Sequence, residues 1–329
     1  MNQFLLKLSA TQQIGAMFVL VFGALLLASI AALLLSLRDR GDDAAADAWR
    51  RELSRIDGVL RTSWVMVFVF WVGWLSGDAV TLVLFALVSF FALREFMTLS
   101  PTRRGDHRSL VLAFFVVLPI QYTLVGTRHF DLFTVFIPVY VFLAIPVVSA
   151  LANDPARFLE RNAKLQWGIM VCIYGMSHVP ALLLLNFRGF QNRSAFLVFF
   201  LVLVVQTCMV VQYLASRRFK SAPAAPAISD SFAWRSWWTG VLAGSVLGGL
   251  LAGLTPFAPG QALALAFVAC VAGSLGHLVM KALKRDRGIP NWGRDGVSVT
   301  GAGGLLDRVD ALCFAAPIFF HSSRWYFGL

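Results

Sequence analysis

The sequence predicts an all-α protein that crosses a membrane many times, and its composition and its long apolar runs carry this prediction. Hydrophobic residues make up 58% of the 329 residues and charged residues only 14%, and the mean hydropathy is +0.74. Several apolar runs exceed the ~18 residues that indicate a membrane-spanning helix. A large soluble core would instead need alternating polar faces, which these runs lack. We therefore predict a polytopic helical bundle that forms a single membrane domain over residues 1–329.

Hydropathy predicts about ten membrane spans. The first, 14–37, is too long for the core of a signal peptide and its arginines follow it, so we interpret it as a retained span. The next two, 63–76 and 79–94, are short and separated by Gly77-Asp78, so they form either a tight hairpin or one long tilted helix. The remaining predicted spans are 110–126, 130–151, 165–186, 194–215, 237–256, 261–283 and 311–328.

The distribution of basic residues predicts the orientation in the membrane. With ten spans, 23 of the 28 lysines and arginines fall in one set of loops. The positive-inside rule then places both termini outside and the loops 216–236 and 284–310 in the cytoplasm, at what we take to be a bacterial inner membrane. The net charge of +11 is spread over many loops without an aromatic-interleaved basic module, which argues against nucleic acid as a partner. A basic cytoplasmic face suits anionic lipid headgroups or a nucleoside triphosphate.

Two further features complete the organisation of the chain. Residues 41–62 combine an Ala/Leu/Ile/Trp stripe with mixed charge, which predicts an amphipathic helix at the cytoplasmic face. The four cysteines lie in apolar runs without close spacing, which argues against a zinc site or a disulfide framework. These cysteines are Cys172, Cys208, Cys270 and Cys313.

The strongest motif lies in the last fifty residues. Lys284-Arg285 is followed by a glycine pair, Gly303-Gly304, and then by Asp307-Arg308-x-Asp310. This arrangement resembles the C-terminal signature of the CDP-diacylglycerol synthases (phosphatidate cytidylyltransferases), roughly S-x-x-K-R-D-x-G-[IV]-K-D-x-G…P-G-H-G-G-x-x-D-R-x-D. The resemblance extends upstream in register, so that residues 194–329 form the half of the chain that carries the family signature.

The resemblance implies a fold, a reaction and a set of residues. Enzymes of this family join phosphatidate to CTP and release pyrophosphate, and two polyanionic substrates call for Mg²⁺ held by carboxylates together with cationic side chains. We expect segments 204–236 and 273–310 to converge on one basic cavity. By position in the motif, Asp307 and Asp310 are the candidate catalytic carboxylates, Asp307 with His277 the candidate metal ligands, and the candidate phosphate-binding residues are Lys284, Arg285, Arg308, Gly303 and Gly304.

Several functional positions of the family pattern are altered, whereas its scaffold positions remain. Upstream, Met209 stands where the family has an aspartate, and Arg235 where it has an acid. Phe232 replaces a lysine that would meet phosphate, and His277 replaces an aspartate usually given as a metal ligand. In the signature itself, the family K-D and its histidine are replaced by Pro290, Asn291 and Ala302.

Two functions follow from this pattern. In the first, the chain is a phosphatidate cytidylyltransferase-like protein of phospholipid metabolism that has lost catalysis wholly or in part and keeps a basic cleft for anionic lipid phosphate. In the second, it is an active CTP-dependent nucleotidyltransferase with an altered metal site. Asp307, Arg308 and Asp310 would serve the first function as a structural charge network. Membrane lipids are the expected partners in both, with CTP added in the second, and a homodimer or a protein partner is left open. A transporter has little support, because no predicted span has an unpaired acid in its middle.

Overall fold

The protein is helical throughout the part of the chain that the structure describes. This computed structural model describes residues 10–37, 75–100, 102–187, 194–219, 221–292 and 304–328, together with scattered positions between 53 and 73. Over these residues the only β-type pairing is a bridge between Ala225 and Ser229 in a loop. The predicted all-α class is therefore confirmed.

Nine long helices follow one another in the described residues. Three of them, α3, α4 and α5, contain a π-helical turn. The helices are α1 (Ala10–Ser36), α2 (Asp78–Thr98), α3 (Arg104–Gly126), α4 (Phe130–Ala150), α5 (Phe158–Ile169, continued by Met170–Gly175 and Met176–Leu183), α6 (Ala195–Phe219), α7 (Trp234–Leu250), α8 (Pro259–Asp286) and α9 (Leu306–Phe327).

Five of these helices, α2, α3, α4, α6 and α8, are long and apolar enough to cross a membrane. Helices suit a bilayer because their backbone N–H and C=O groups bond within the segment. Large apolar side chains project outward, as Leu143 in α4 does with 64% of its surface exposed. The chain is thus an all-α integral membrane protein. The total of ten spans stays a prediction, because segment 41–62 lies largely outside the described residues and segment 63–76 is described only in part.

From α2 to α9, consecutive helices run in opposite directions, and the two ends of the bundle carry different polar contacts. At one end, Glu95 in the last turn of α2 accepts a 2.8 Å hydrogen bond from the backbone N–H of Leu306 at the start of α9. At the other, Arg324 in the last turn of α9 pairs with Asp131 in the first turn of α4 at 2.8 Å. We call the first the signature end, because α8 finishes and α9 begins there, and the second the far end.

Helix α7 packs against its neighbours through glycines. Gly240, Gly244 and Gly248 recur every four residues and therefore lie on one face of the helix. A Cβ on Gly240 would stand 2.6 Å from the carbonyl oxygen of Cys208 in α6, and one on Gly244 would stand 2.5 Å from Sγ of Cys270 in α8. Small residues of this kind let helix backbones approach closely in a membrane, where packing rather than hydrophobicity drives association.

The π-helical turn of α4 contains a proline. Pro138 lies within the turn Phe136–Val141 of α4; it has no N–H to donate and clashes with the carbonyl four residues earlier. That carbonyl, on Thr134, instead accepts a hydrogen bond from the Tyr174 hydroxyl of α5 at 3.3 Å. Backbone groups released by proline in a membrane helix need such partners.

Several helix boundaries differ from the sequence prediction, and three of them concern the helices that carry or flank the motif. The last helix begins at Leu306 rather than 311, so Asp307, Arg308 and Asp310 belong to its first turns and not to a loop. Likewise α8 extends through Asp286 and includes Lys284 and Arg285. The cause is that hydropathy measures the apolar length of a segment, while helices continue past it into the charged interfacial region. The predicted span 237–256 divides into α7 and a short 3₁₀ turn, Ala252–Leu254.

Candidate functional site at the signature end

The start of α9 is held by a carboxylate from α2. The first N–H groups of a helix have no partner inside it. Glu95 supplies that partner here: one carboxylate oxygen accepts the N–H of Leu306 at 2.8 Å and the other that of Leu305 at 3.3 Å. Glu95 is only 3% exposed. This carboxylate therefore fixes the position of the D-R-x-D segment that follows.

Both carboxylate oxygens of Asp307 are occupied. Lys284 Nζ, near the end of α8, lies 2.6 Å from Oδ1, and the backbone N–H of Trp292 donates to Oδ2 at 2.8 Å. The side chains of Lys284 and Asp307 are only 13% and 11% exposed. Trp292 is itself buried and packs on Phe96 of α2 with ring centroids 5.2 Å apart. Asp307 therefore connects α9 to Lys284 of α8 and to Trp292 of the loop that follows α8.

Asp310, one turn deeper, is engaged in the same way. His277 Nδ1 of α8 lies 2.7 Å from Oδ2, and the backbone N–H of Ala311 donates to Oδ1 at 2.6 Å. The Asp310 side chain is 4% exposed. His277 therefore has Asp310 as its polar partner and does not pair with Asp307. Because α8 and α9 are antiparallel, Lys284 near the end of α8 meets Asp307 in the first turn of α9. His277, which lies earlier in α8, meets Asp310, which lies later in α9.

The predicted phosphate-binding residues that the structure describes differ in their exposure. Arg285 is exposed on the last turn of α8, whereas Arg308 is half-buried and its Nε has no hydrogen-bond partner among the described residues. Gly304 is buried next to Leu305. Gly303 and the altered position Ala302 lie outside the described residues. Pro290 and Asn291 are described, and both are exposed before Trp292.

The altered upstream positions lie in and around the loop between α6 and α7. Phe232, in place of the family's lysine, is buried at 4% exposure, and Met209 is half-buried against the core. Lys281 of α8 reaches this loop, with Nζ 3.2 Å from the Ser229 hydroxyl. Arg235 is exposed at the start of α7. Segments 204–236 and 273–310 are therefore neighbours through Lys281, and Trp237, which directly follows the first segment, donates from Nε1 to the Ser274 hydroxyl at 2.8 Å.

A cleft of about 410 Å³ opens between the end of α6 and the start of α7. We call it the Arg235 cleft. It does not include Lys284, Arg285, Arg308 or Asp307, which the sequence had suggested as the lining of a basic cavity. Its lining residues are Phe219, Ser221, Ala222, Trp234 and Arg235.

Two polar groupings at the signature end were missed in the sequence. One is Glu95; the other is Arg161, which pairs with Asp106 at 2.8 Å and with Asp154 at 2.6 Å. The Arg161 side chain is 5% exposed, and it ties the start of α3 to the α4–α5 loop. The available signal was weak: Glu95 is an acid inside an apolar run, a placement that usually marks a specific partner. Among the described residues, no three His, Cys, Asp or Glu side chains form a group that could hold a metal ion.

Comparison with known proteins places this arrangement in context. Residues 59–326 match the cytidylyltransferase family. The uncharacterized protein YnbB of Escherichia coli K12 is 33% identical over 270 residues, which cover 81% of this chain and 86% of that protein. A phosphatidate cytidylyltransferase of Mycobacterium leprae is 29% identical over 52% of each chain. One of Brucella abortus is 32% identical over 43% of this chain and 51% of its own. The matched part thus spans about half the length of these two cytidylyltransferases.

Proposed function

Since this chain belongs to the cytidylyltransferase family, we propose that it is a phosphatidate cytidylyltransferase-like membrane protein that binds anionic lipid phosphate and has lost most or all cytidylyl transfer. The observation that carries the proposal is the engagement of both retained carboxylates. Asp307 is bound by Lys284 and a backbone N–H, and Asp310 by His277 and a backbone N–H. These two carboxylates, which would hold a metal or act in catalysis in an active enzyme, instead connect α8 to α9.

The donor set of the described residues does not fit Mg²⁺. This ion prefers octahedral oxygen coordination, usually from one or two carboxylates together with phosphate oxygens and water. At the signature end, Asp307 faces an ammonium group and Asp310 faces an imidazole. A transferring phosphoryl group depends on such metal and cationic stabilisation for most of its rate. We therefore expect transfer to be weak or absent.

The altered family positions support the same proposal. Phe232 is buried where a lysine would meet phosphate, and its burial stabilises the loop instead of presenting a charge. Arg235 brings a cation to a position that carries an acid in the family pattern. The changes therefore lower the number of metal ligands and raise the local positive charge, which favours binding of anions over metal-dependent transfer.

We further infer that the protein works in the inner membrane with its signature end in the cytoplasm. Its partners there would be membrane lipids, in particular those with anionic phosphate. Basic residues at a membrane face attract such lipids by surface electrostatics that weaken with salt. Retention of the scaffold also suits a role beside a protein partner or in a homodimer.

An active enzyme is the second candidate, and one observation favours it. Three carboxylates, Glu95, Asp307 and Asp310, lie around the first turns of α9 with Lys284 beside them. A rearrangement that released Asp307 from Lys284 would free one carboxylate for a metal and one ammonium group for a phosphate. The site would then make CDP-diacylglycerol, or a related CDP-lipid, and pyrophosphate from CTP.

A direct assay distinguishes the two candidates. Purified full-length protein is incubated with CTP, phosphatidate and Mg²⁺, beside a phosphatidate cytidylyltransferase of the same family in the same detergent. We expect CDP-lipid formation by this chain no faster than background. Robust synthesis that disappears in Asp307→Ala and in the isosteric Asp307→Asn, with both variants still folded by size-exclusion chromatography, would overturn the proposal in favour of an active enzyme.

A further inference from the structure

The Arg235 cleft has a fixed wall. Within the loop that forms it, the backbone N–H of Ala224 donates to the carbonyl of Phe232 at 2.7 Å, and that of Ser229 donates to Ala225 at 2.9 Å. The buried ring of Phe232 anchors the loop in the core, and Lys281 reaches Ser229 from α8. These contacts hold the loop in one shape, so the cleft beside it is built before any ligand arrives.

The exposed cation of the Arg235 cleft differs from the buried cations at this end in having no carboxylate partner. Lys284 is neutralised by Asp307, and Arg161 by Asp106 and Asp154. Among the described residues, Arg235 forms no ion pair with a carboxylate, and its only near acid in sequence is Asp230, which is exposed. Ser221 also lines the cleft, but its hydroxyl is buried and has no hydrogen-bond partner within the described part of the chain. The Arg235 guanidinium is thus the group left for an anion.

The position of the Arg235 cleft matches the boundary between lipid and water. It lies where α6 ends and α7 begins, and its aromatic walls Phe219 and Trp234 are 50% and 58% exposed. Trp238, one turn further along α7, is 46% exposed. Tryptophans concentrate at membrane interfaces because they are apolar with one polar N–H. A molecule in this cleft would contact both the polar boundary and the acyl region.

We propose that the Arg235 cleft binds the phosphate of an anionic glycerophospholipid. The Arg235 guanidinium would hold two phosphate oxygens, a geometry that arginine favours, and the acyl chains would lie along Phe219 and Trp234. A volume of about 410 Å³ is within the usual size of small-ligand sites. This inference rests on the proposed lipid-phosphate function and moves the lipid away from Lys284 and Asp307, whose charges already satisfy each other.

The test is a titration of the full-length protein in detergent with short-chain phosphatidate, followed by native mass spectrometry. Phosphatidylcholine, which has no net charge, and glycerol 3-phosphate, which has no acyl chains, are the comparison ligands. We expect Arg235→Gln to weaken phosphatidate binding about tenfold, because a charge-assisted hydrogen-bond pair is lost. Arg94→Gln, which removes another exposed arginine at the signature end, from the last turns of α2, is the matched control and should bind as the unaltered protein does.

The outcomes separate this inference from the proposed function. Equal loss in Arg235→Gln and Arg94→Gln would mean general surface electrostatics and would overturn the inference. So would unchanged binding in Arg235→Gln, or binding of phosphatidylcholine or glycerol 3-phosphate as tight as that of phosphatidate. Loss in Lys284→Gln but not in Arg235→Gln would overturn the inference while leaving lipid-phosphate binding at the signature end intact. CDP-lipid synthesis by the unaltered protein would instead contradict the proposed function alone.

Discussion

Glu95 is a buried carboxylate at the end of a membrane-spanning helix, and it binds neither a lysine nor an arginine in the described residues. Its two oxygens accept the N–H groups of Leu305 and Leu306. An acid at a helix N-terminus is stabilised by hydrogen bonds and by the helix dipole. Glu95 thus acts as a cap supplied by another helix, since the N-cap residue Leu305 has no side-chain hydrogen bond to offer.

We predict that Glu95→Ala lowers the stability of the folded protein by about 2–4 kcal/mol, because two buried N–H donors lose their acceptor. Glu95→Gln keeps one carbonyl oxygen and should lose less. The measurement is the thermal midpoint in detergent followed by tryptophan fluorescence. Glu160→Gln is the control, because the Glu160 side chain is 46% exposed and its removal should leave the midpoint unchanged. Equal midpoints for Glu95→Ala and the unaltered protein would show that the two hydrogen bonds of Glu95 do not stabilise the fold.

The sequence could locate the D-R-x-D residues but not their partners. Asp307 and Asp310 stand out in the motif, and their spacing places them on successive turns of one helix. Glu95 lies more than two hundred residues away in an apolar run, and no periodicity links it to Leu306. The pairing of His277 with Asp310 depends on how far α8 and α9 slide along each other, which local sequence does not determine. The proposed metal, catalytic and phosphate-binding roles of these residues stay predictions.

At the scale of elements, α7 determines how closely the last four helices pack. Its glycine face lies against α6 on one side and α8 on the other, and Gly276 of α8 lies in turn against the Phe314 ring of α9. The residues that meet this glycine face include Cys208 of α6 and Cys270 and Ala266 of α8. Cys208 and Cys270 therefore contribute packing volume beside α7, and all four cysteines are buried as free thiols.

We predict that Gly244→Leu prevents folding, whereas Gly249→Ala does not. A Cβ on Gly244 would stand 2.8 Å from the carbonyl oxygen of Val204, so a larger side chain must separate α6 from α7. On the same helix, a Cβ on Gly249 would have its nearest neighbour, in Leu263, at an ordinary 3.6 Å. Gly249→Ala should therefore be neutral or add up to about 1 kcal/mol through helix propensity. Size-exclusion chromatography in detergent reports folding, and a monodisperse Gly244→Leu protein would contradict the close α6–α7 contact.

The helices themselves were largely predictable, and their ends were not. Apolar runs of the right length predict helices wherever a membrane is the solvent, because no other open structure pairs its backbone there. The same runs gave 311–328 and 261–283 for helices that extend to Leu306 and Asp286, since charged residues continue a helix into the interface. The π-helical turns of α3, α4 and α5 carry no hydropathy signal. In α4 the turn contains Pro138, and the carbonyl of Thr134 accepts a hydrogen bond from the Tyr174 hydroxyl of α5.

For the whole molecule, the two ends of the bundle divide the charge unequally. At the signature end, buried hydrogen bonds and ion pairs involve Glu95, Arg161, Lys284, Asp307 and Asp310. The described contacts of the far end are fewer and more exposed, such as the pair of Arg324 with Asp131, whose side chain is 97% exposed. The family, its all-α membrane fold and the place of the motif could be derived from sequence. The binding of Asp307 by Lys284 and of Asp310 by His277 could not be derived from sequence, because these residues meet only when the helices pack together.

Orientation is the last property to test, and it decides whether the signature end can meet cytoplasmic nucleotides. The positive-inside distribution predicts that the signature end faces the cytoplasm. We therefore expect Ala227→Cys and Pro290→Cys, at exposed positions of that end, to react with a membrane-impermeant maleimide in inside-out vesicles. Gly253→Cys, exposed at the far end with nothing within 4 Å of an added Cβ, should react only in right-side-out cells. The native cysteines are buried, so the unaltered protein serves as the unlabelled control. Labelling of positions 227 and 290 from opposite sides would refute both the topology and the shared signature end.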